Sequence, residues 1–249
     1  MDRFITMQTK SVEGEFIVMM AAAVLMAVFS RHYNYGDVTA SFLILFLPLF
    51  LLDLWMIFRI FRKICCRMIY GAEGLFYQSL PVPPAVQSGG RIFITGVSLL
   101  LMMLPVLWVA VKYLMTAFLN HGRFPLVFSQ ILLNCGYNPY GAPFFAALML
   151  VSLIAFCFTL AALALLAAEA VQASKSGGKN RTFLVVLAGA ADLVILIAVN
   201  LLPYLLVTGA RIGEPALIPA GALIMNILLG GLYGWVSVQL LEKHYRLEA

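Results

Sequence analysis

The stretch RMIYGAEGLFYQSLPVPPAV, Arg67 to Val86, lies between two long apolar runs and mixes charge with two glycines, three prolines and the apolar trio Leu75, Phe76 and Tyr77. Its meaning depends on what flanks it. The 249 residues are 63% hydrophobic and 11% charged, with a mean hydropathy of +0.99. A soluble domain typically carries about 25% charged residues, so this chain lacks the polar surface to cover a water-soluble globule. The composition predicts an all-α integral membrane protein.

A hydrocarbon core of about 30 Å needs about 20 apolar residues in a helix. Runs of that kind fall at 14–31, 38–60, 92–118, 143–171, 183–208 and 216–241, which predicts six transmembrane helices in a single domain with a cytoplasmic segment at 61–91. The first run has an uninterrupted apolar core only from Phe16 to Phe29, which is the length of a signal-peptide core, but the following AVFSR is a poor cleavage site.

Lys and Arg set the orientation. With six spans, one side holds Arg3, Lys10, Arg59, Arg62, Lys63, Arg67, Arg91, Lys175, Lys179, Arg181, Lys243 and Arg246, and the other holds Arg31, Lys112, Arg123 and Arg211, twelve against four. The excess places both termini and the 61–91 segment in the cytoplasm. The net charge of +5 is thus spread over connectors facing lipid headgroups, with no continuous patch for nucleic acid.

Several chemistries lack their residues. SGGKN, Ser176 to Asn180, is the nearest approach to a nucleotide-binding loop and lacks both its first glycine and the hydroxyl after the lysine. His32, His121 and His244 stand far apart, no serine sits in G-x-S-x-G, and Cys65, Cys66, Cys135 and Cys157 have neither metal nor disulfide spacing. No catalytic, metal or cofactor residue is expected, and the chain is read as a non-enzyme. Within the apolar runs, where an ionisable group costs at least about 2.5 kcal/mol, stand Asp53 and Asp192. These are expected to make helix-to-helix hydrogen bonds or to face a water-lined wall, whereas Glu169 is expected at the cytoplasmic interface.

From physics alone the opening stretch is a short helix stopped by proline and laid on the membrane face. It then serves either as a docking element or as an amphipathic anchor held by Tyr70, Phe76 and Tyr77. YGAEGLFYQSLPVP, Tyr70 to Pro83, followed by a span, resembles the segment after the second span in bacterial ABC-2-type permeases. There a glycine- and acid-containing coupling helix leads into an LPV turn, with a basic residue, here Arg91, at the start of the third span. The tail NILLGGLYGWVSVQLLEKHYRLEA, Asn226 to Ala249, resembles the last span and ending of the same family.

The resemblance implies an ABC-2 (type V exporter-like) permease of the bacterial cytoplasmic membrane. A separate ATP-binding cassette subunit would carry ATP and Mg, and a second permease copy or paralogue would complete a dimer. It assigns Tyr70, Gly71, Glu73, Gly74, Leu75, Phe76 and Tyr77 to coupling with the ATPase, and suggests an interfacial helix over Met1 to Glu15. It also places short re-entrant helices between the last two spans, where Pro203, Gly209, Gly213, Pro215 and Pro219 form a candidate external gate. Phe42, Phe46, Asp53, Trp55, Phe93 and Trp108 form a candidate translocation wall suited to an amphipathic peptide, or to a lipid-like or drug molecule. The aromatic loop Asn120 to Pro143 is read as an external lid, and Gly230-x-x-x-Gly234 as a site of internal helix packing. Two alternatives stand beside this reading: the substrate-binding subunit of a vitamin importer, and an immunity or structural membrane protein working without an ATPase.

The charge split generates a topological prediction. In intact cells a membrane-impermeant thiol reagent should label Cys135 and leave Cys65 and Cys66 untouched; external labelling at position 65 would invert the orientation.

Overall fold

In a computed structural model of the chain, residues 2–32, 38–67, 82–121, 141–173, 181–209 and 217–248 are described, with side chains for part of them. These residues form six long helices and no strand: α1 Asp2–His32, α2 Val38–Phe61, α3 Pro84–His121, α4 Gly141–Ala173, α5 Arg181–Gly209 and α6 Leu217–Glu248. Four described stretches, Thr6–Phe29, Pro84–Pro105, Ala147–Ala170 and Pro219–Glu242, are long and apolar enough to cross a membrane, and Leu187–Pro203 of α5 is a shorter apolar stretch.

Packing follows from which faces the sequence leaves apolar or small. On α1 the buried residues are Gln8, Val12, Glu15, Met19, Ala22 and Met26, spaced alternately four and three apart, which makes one stripe along a helix. That stripe meets α2 through Met56 and Ile60, the residues just after α2 through Ile64 and Cys65, and α3 through Ile94 and Met102, with Leu165 and Ala168 of α4 completing the cluster. α4 is the central helix, packed on α3, α5 and α6, while among the described residues α5 leans mainly on α4 and α6. Of the side chains described on α5, only Leu196 and Pro203 are buried. The outside is leucine, isoleucine, valine and tryptophan, whereas the inside holds Gln87, Ser88, Arg91, Thr95, Ser98, Thr159, Glu169, Asn226 and Ser237. That inverted polarity suits an apolar surrounding, where polar groups must find partners inside the protein.

Side-chain contacts fix the up-and-down order. Glu15, close to the middle of α1, pairs with Arg59 (3.3 Å) at the end of α2 and with Lys63 (2.7 Å) just past it. Arg91 near the start of α3 faces Glu169 near the end of α4, and Ser237 in the last third of α6 bonds Glu169. The first half of α1, end of α2, start of α3, end of α4 and second half of α6 therefore share one end of the bundle. α5 and α6 form a hairpin, since Asn200 and Asn226 exchange hydrogen bonds of 3.2 and 2.7 Å across it.

Three sequence expectations change here. Met1 to Glu15 was assigned an interfacial helix of its own, but Asp2–His32 is a single helix whose first turns enter the bundle through Gln8 and Val12. The 61–91 connector is shorter than its span boundaries imply. A π-helical turn, Arg62–Arg67, continues α2, and α3 begins at Pro84 rather than at 92. Pro84 suits a first helical position because it has no N–H to leave unsatisfied. The Pro83 carbonyl accepts from the N–H groups of Val86 (2.9 Å) and Gln87 (3.2 Å), so the double proline opens a helix. Finally, Cys65 is buried in the core, so its silence toward a thiol reagent reports packing as well as side. An Arg62→Cys probe, at an exposed position of the same turn, reports the side alone.

The Gly230 half of the GxxxG expectation gains an atomic reason, whereas a Cβ on Gly234 would meet only Ile92 Cδ1 at an ordinary 3.9 Å. A Cβ built on Gly230 stands 2.9 Å from Thr159 Oγ1 and 3.6 Å from Thr159 Cα, so α6 meets α4 there without room for a methyl group. The Thr159 hydroxyl cannot swing away freely, because it shares its hydrogen between the carbonyls of Asn226 (2.7 Å) and Ala155 (2.8 Å). Gly231 has open space at the same construction. Gly230→Ala should therefore lower stability by about 1–3 kcal/mol through overpacking, while Gly231→Ala should be neutral or stabilising by up to about 1 kcal/mol from helix propensity. Thermal unfolding of the two variants in one detergent checks this; equal effects would contradict the packing.

A candidate coupling junction at the polar end of the bundle

The end of the bundle shared by α1, α2, α3, α4 and α6 carries two ionic groups separated by apolar packing. The first joins α1 to α2: Glu15 accepts from Lys63 and Arg59, and Lys63 Nζ also donates to the Ser11 carbonyl at 3.0 Å. The second joins three helices. Arg91 and Glu169 are only 2% and 3% exposed in their side chains, with Arg91 Nη1 at 3.9 Å from Glu169 Oε1. Ser237 Oγ donates to Glu169 Oε2, and the Ser88 and Ser237 hydroxyls are 3.2 Å apart. Between these groups lie Ile64, Cys65, Ile94, Leu165 and Ala168.

Local sequence explains how α3 presents its part. Ser88, Arg91, Thr95 and Ser98 recur at three- and four-residue intervals and fall on one face of the helix, and all four are buried. Gln87 Nε2 donates to the Val82 carbonyl at 3.2 Å, tying the first turn back to the residue before the double proline. Two expectations gain partners in this geometry. Glu169, expected at the cytoplasmic interface, is a buried acceptor from Ser237 of α6. Arg91, counted with the cations of the cytoplasmic side, is buried and faces Glu169 of α4. Neither role is marked by local spacing, because the partners lie 78 and 68 residues apart in the chain.

The coupling residues Tyr70, Gly71, Glu73, Gly74, Leu75, Phe76 and Tyr77 lie outside the described residues. Their flanks are described, and both are fastened. Ile64 and Cys65 on the α2 side are fully buried, and so are Gln87, Ser88 and Arg91 on the α3 side.

The candidate gate divides. Pro203 lies inside α5, Gly209 closes that helix, Pro219 sits in the first turn of α6, and Gly213 and Pro215 lie outside the described residues. Pro203 packs directly on Gly221, where a Cβ would stand 2.9 Å from the proline Cβ. A reciprocal amide pair next to this contact escaped the sequence reading: Asn200 and Asn226, each also bonded to a carbonyl of its own helix, Leu196 and Ala222. The available signal was their equal distance from the glycine- and proline-rich break.

Among the described residues, Asp53 and Trp55 of the candidate wall fall on different sides of α2. Asp53 is fully buried, with Met56 and Ile60 on the same inward side of α2, while Trp55, two residues on, is 58% exposed beside Phe58. Two residues turn an α-helix by about 200°, so Asp53 and Trp55 cannot line one surface. Phe93 of α3 is 56% exposed and lies against Phe158 of α4, and Phe46 stacks on Phe50. The side chains of Phe42 and Trp108 lie outside the described residues. Neither oxygen of Asp53 has a hydrogen-bond partner among the described residues, so the expected helix-to-helix bond is not made there. Among those same residues no group of His, Cys, Asp and Glu is arranged to hold a metal ion. Compared with family models, with curated proteins and with solved structures, the chain finds no match.

Proposed function

We propose that this chain is the permease subunit of an ATP-driven exporter of the ABC-2 kind. In this reading it crosses the bacterial cytoplasmic membrane six times and works as a dimer of permeases. A separate ATP-binding cassette subunit grips residues 70–77, and an amphipathic cargo, a peptide by preference, is moved outward. The sequence resemblance and the charge asymmetry motivate the reading. The observation that carries it is the fastening of both flanks of segment 68–81. A helix that only rests in headgroups needs no attachment to the core, whereas one that transmits force must be rooted in the elements it moves. Here the roots are the π-helical turn after α2 and the proline-opened start of α3, which is tied on to α4 and α6.

Energetics make such a plug feasible. Burying Leu75 and Phe76 in a groove on a partner is worth about 1.5–3 kcal/mol each, and carboxylates in their place add a desolvation penalty. The double variant Leu75→Asp/Phe76→Asp should insert and fold as the parent does, because its positions lie outside every apolar run. Recovery of the ATPase with it should fall by about a hundredfold or more, and transport should stop while the ATPase alone still hydrolyses ATP. Undiminished recovery of the partner, with poorer membrane seating, would instead make 70–77 a lipid anchor and remove the coupling role.

A further inference from the structure

Asp53 is a buried ionisable side chain for which the bundle supplies no counterpart. Glu15 and Glu169, the other buried carboxylates among the described residues, each face a cation. Asp53 is 0% exposed, and neither of its oxygens has a hydrogen-bond partner among the described residues. It continues the inward stripe of Met56 and Ile60 on α2, at intervals of three and four. Its height follows from the first ionic group. Asp53 precedes Arg59 by six residues and Lys63 by ten, which on the antiparallel α1 is six to ten residues past Glu15, at 21–25. The buried residue of that turn is Ala22.

The surroundings hold no charge to answer it. α1 carries no ionisable side chain from Phe16 to Ser30, α2 no other from Val38 to Phe58, and α3 none from Ile92 to Val111. On α4 only the Cys157 thiol stands between Pro143 and Ala168, and it is packed with Leu99 and Ala161. Arg59 and Lys63 are engaged by Glu15, Arg91 faces Glu169, and Arg62 is exposed at the polar end. The side chain of Lys112, further along α3, lies outside the described residues. Neither a helix-to-helix bond nor a water-facing position is therefore realised for Asp53. A carboxylate with no cation, donor or water beside it does not keep its charge but takes up a proton.

We propose that Asp53 is a proton-binding site of this chain: the α1–α2–α3 core closes on the neutral acid and holds one proton that an opened core would give up to water. The ligand is the proton because a hard metal cation requires several further oxygens, whereas the cluster around this stripe is made of Met19, Met56, Ile60 and Met102. The site is a property of the chain alone and stands whether or not an ATPase works beside it.

The test uses the full chain, made cell-free into lipid bilayers with Asp2→Asn, Asp37→Asn and Asp192→Asn. Asp53 is then the sole aspartate, and it carries carbon-13 in its side-chain carboxyl. Infrared absorption at neutral pH separates the C=O stretch of an acid from the paired stretches of a carboxylate. The isotope-shifted acid band is expected, unchanged between sodium and choline buffer. A carboxylate signature, or an acid band that sodium abolishes, would overturn the proposal. A second measurement compares the unlabelled parent with Asp53→Asn. The folded parent holds one proton more than the unfolded chain, whose carboxyl titrates at about pH 4. Between about pH 5 and 7 the unfolded-to-folded ratio of the parent should therefore rise about tenfold per pH unit relative to the variant. Equal pH dependence of the two would show that folding takes up no proton at position 53. Should the asparagine variant not accumulate, the infrared measurement, which retains Asp53, decides by itself.

Discussion

A buried arginine facing a buried glutamate between three apolar helices is the constraint around which this bundle is arranged. In an apolar surrounding neither charge can be turned outward without leaving the other uncompensated, so the start of α3, the end of α4 and the last third of α6 are obliged to meet. That meeting sets the relative height of the central helices. Thr159 then falls opposite Asn226, where Gly230 lets the backbones close, and the hairpin partner Asn200 follows from Asn226. The second ionic group, Glu15 with Arg59 and Lys63, repeats the arrangement for α1 and α2 at the same end. Polar contacts place the helices in height, and the Met19, Met56, Ile94 and Leu165 cluster fills the space between them.

Much of the architecture was legible because it depends on length and period. Six apolar runs become six helices, and the four-and-three spacing of Val12, Glu15, Met19, Ala22 and Met26 marks the inner face of α1. The start of α3 was misplaced because the span was drawn from the apolar run that begins after Arg91, whereas Pro84 already opens the helix about two turns earlier. The junction was illegible for a different reason. Arg91, Glu169 and Ser237 sit on three helices, and their neighbours in the chain say nothing about one another. Counting charges by side treats Arg91 as one more cation facing headgroups, and only tertiary packing shows it enclosed. Asp53 illustrates the converse. Its position in a hydrophobic run is conspicuous, yet the sequence cannot say whether it faces Trp55's side of α2 or the opposite one.

The mechanical consequence concerns the stretch between α2 and α3. Segment 68–81 is bounded by a buried π-helical turn on one side and by a proline-opened helix on the other. The entry of that helix touches both α4 and α6, and α6 carries α5 with it through the paired asparagines. A displacement at the polar end thus has a continuous route through packed side chains to the hairpin at the far end, where Pro203 rests on Gly221. At Arg91 the charge contact with Glu169 stands beside the Ser88–Ser237 hydrogen bond in joining the α3 entry to its neighbours.

The central claim is that this polar end is a receiver for a separate motor. Mild extraction of the unaltered chain from its own membrane, followed by native mass measurement with residue-level cross-linking, tests it most directly. The account predicts an assembly with two permeases and two ATP-binding cassette subunits, with cross-links from the ATPase to residues 70–77. A chain recovered alone or only with lipid, its 70–77 segment cross-linked to nothing but itself, would contradict it.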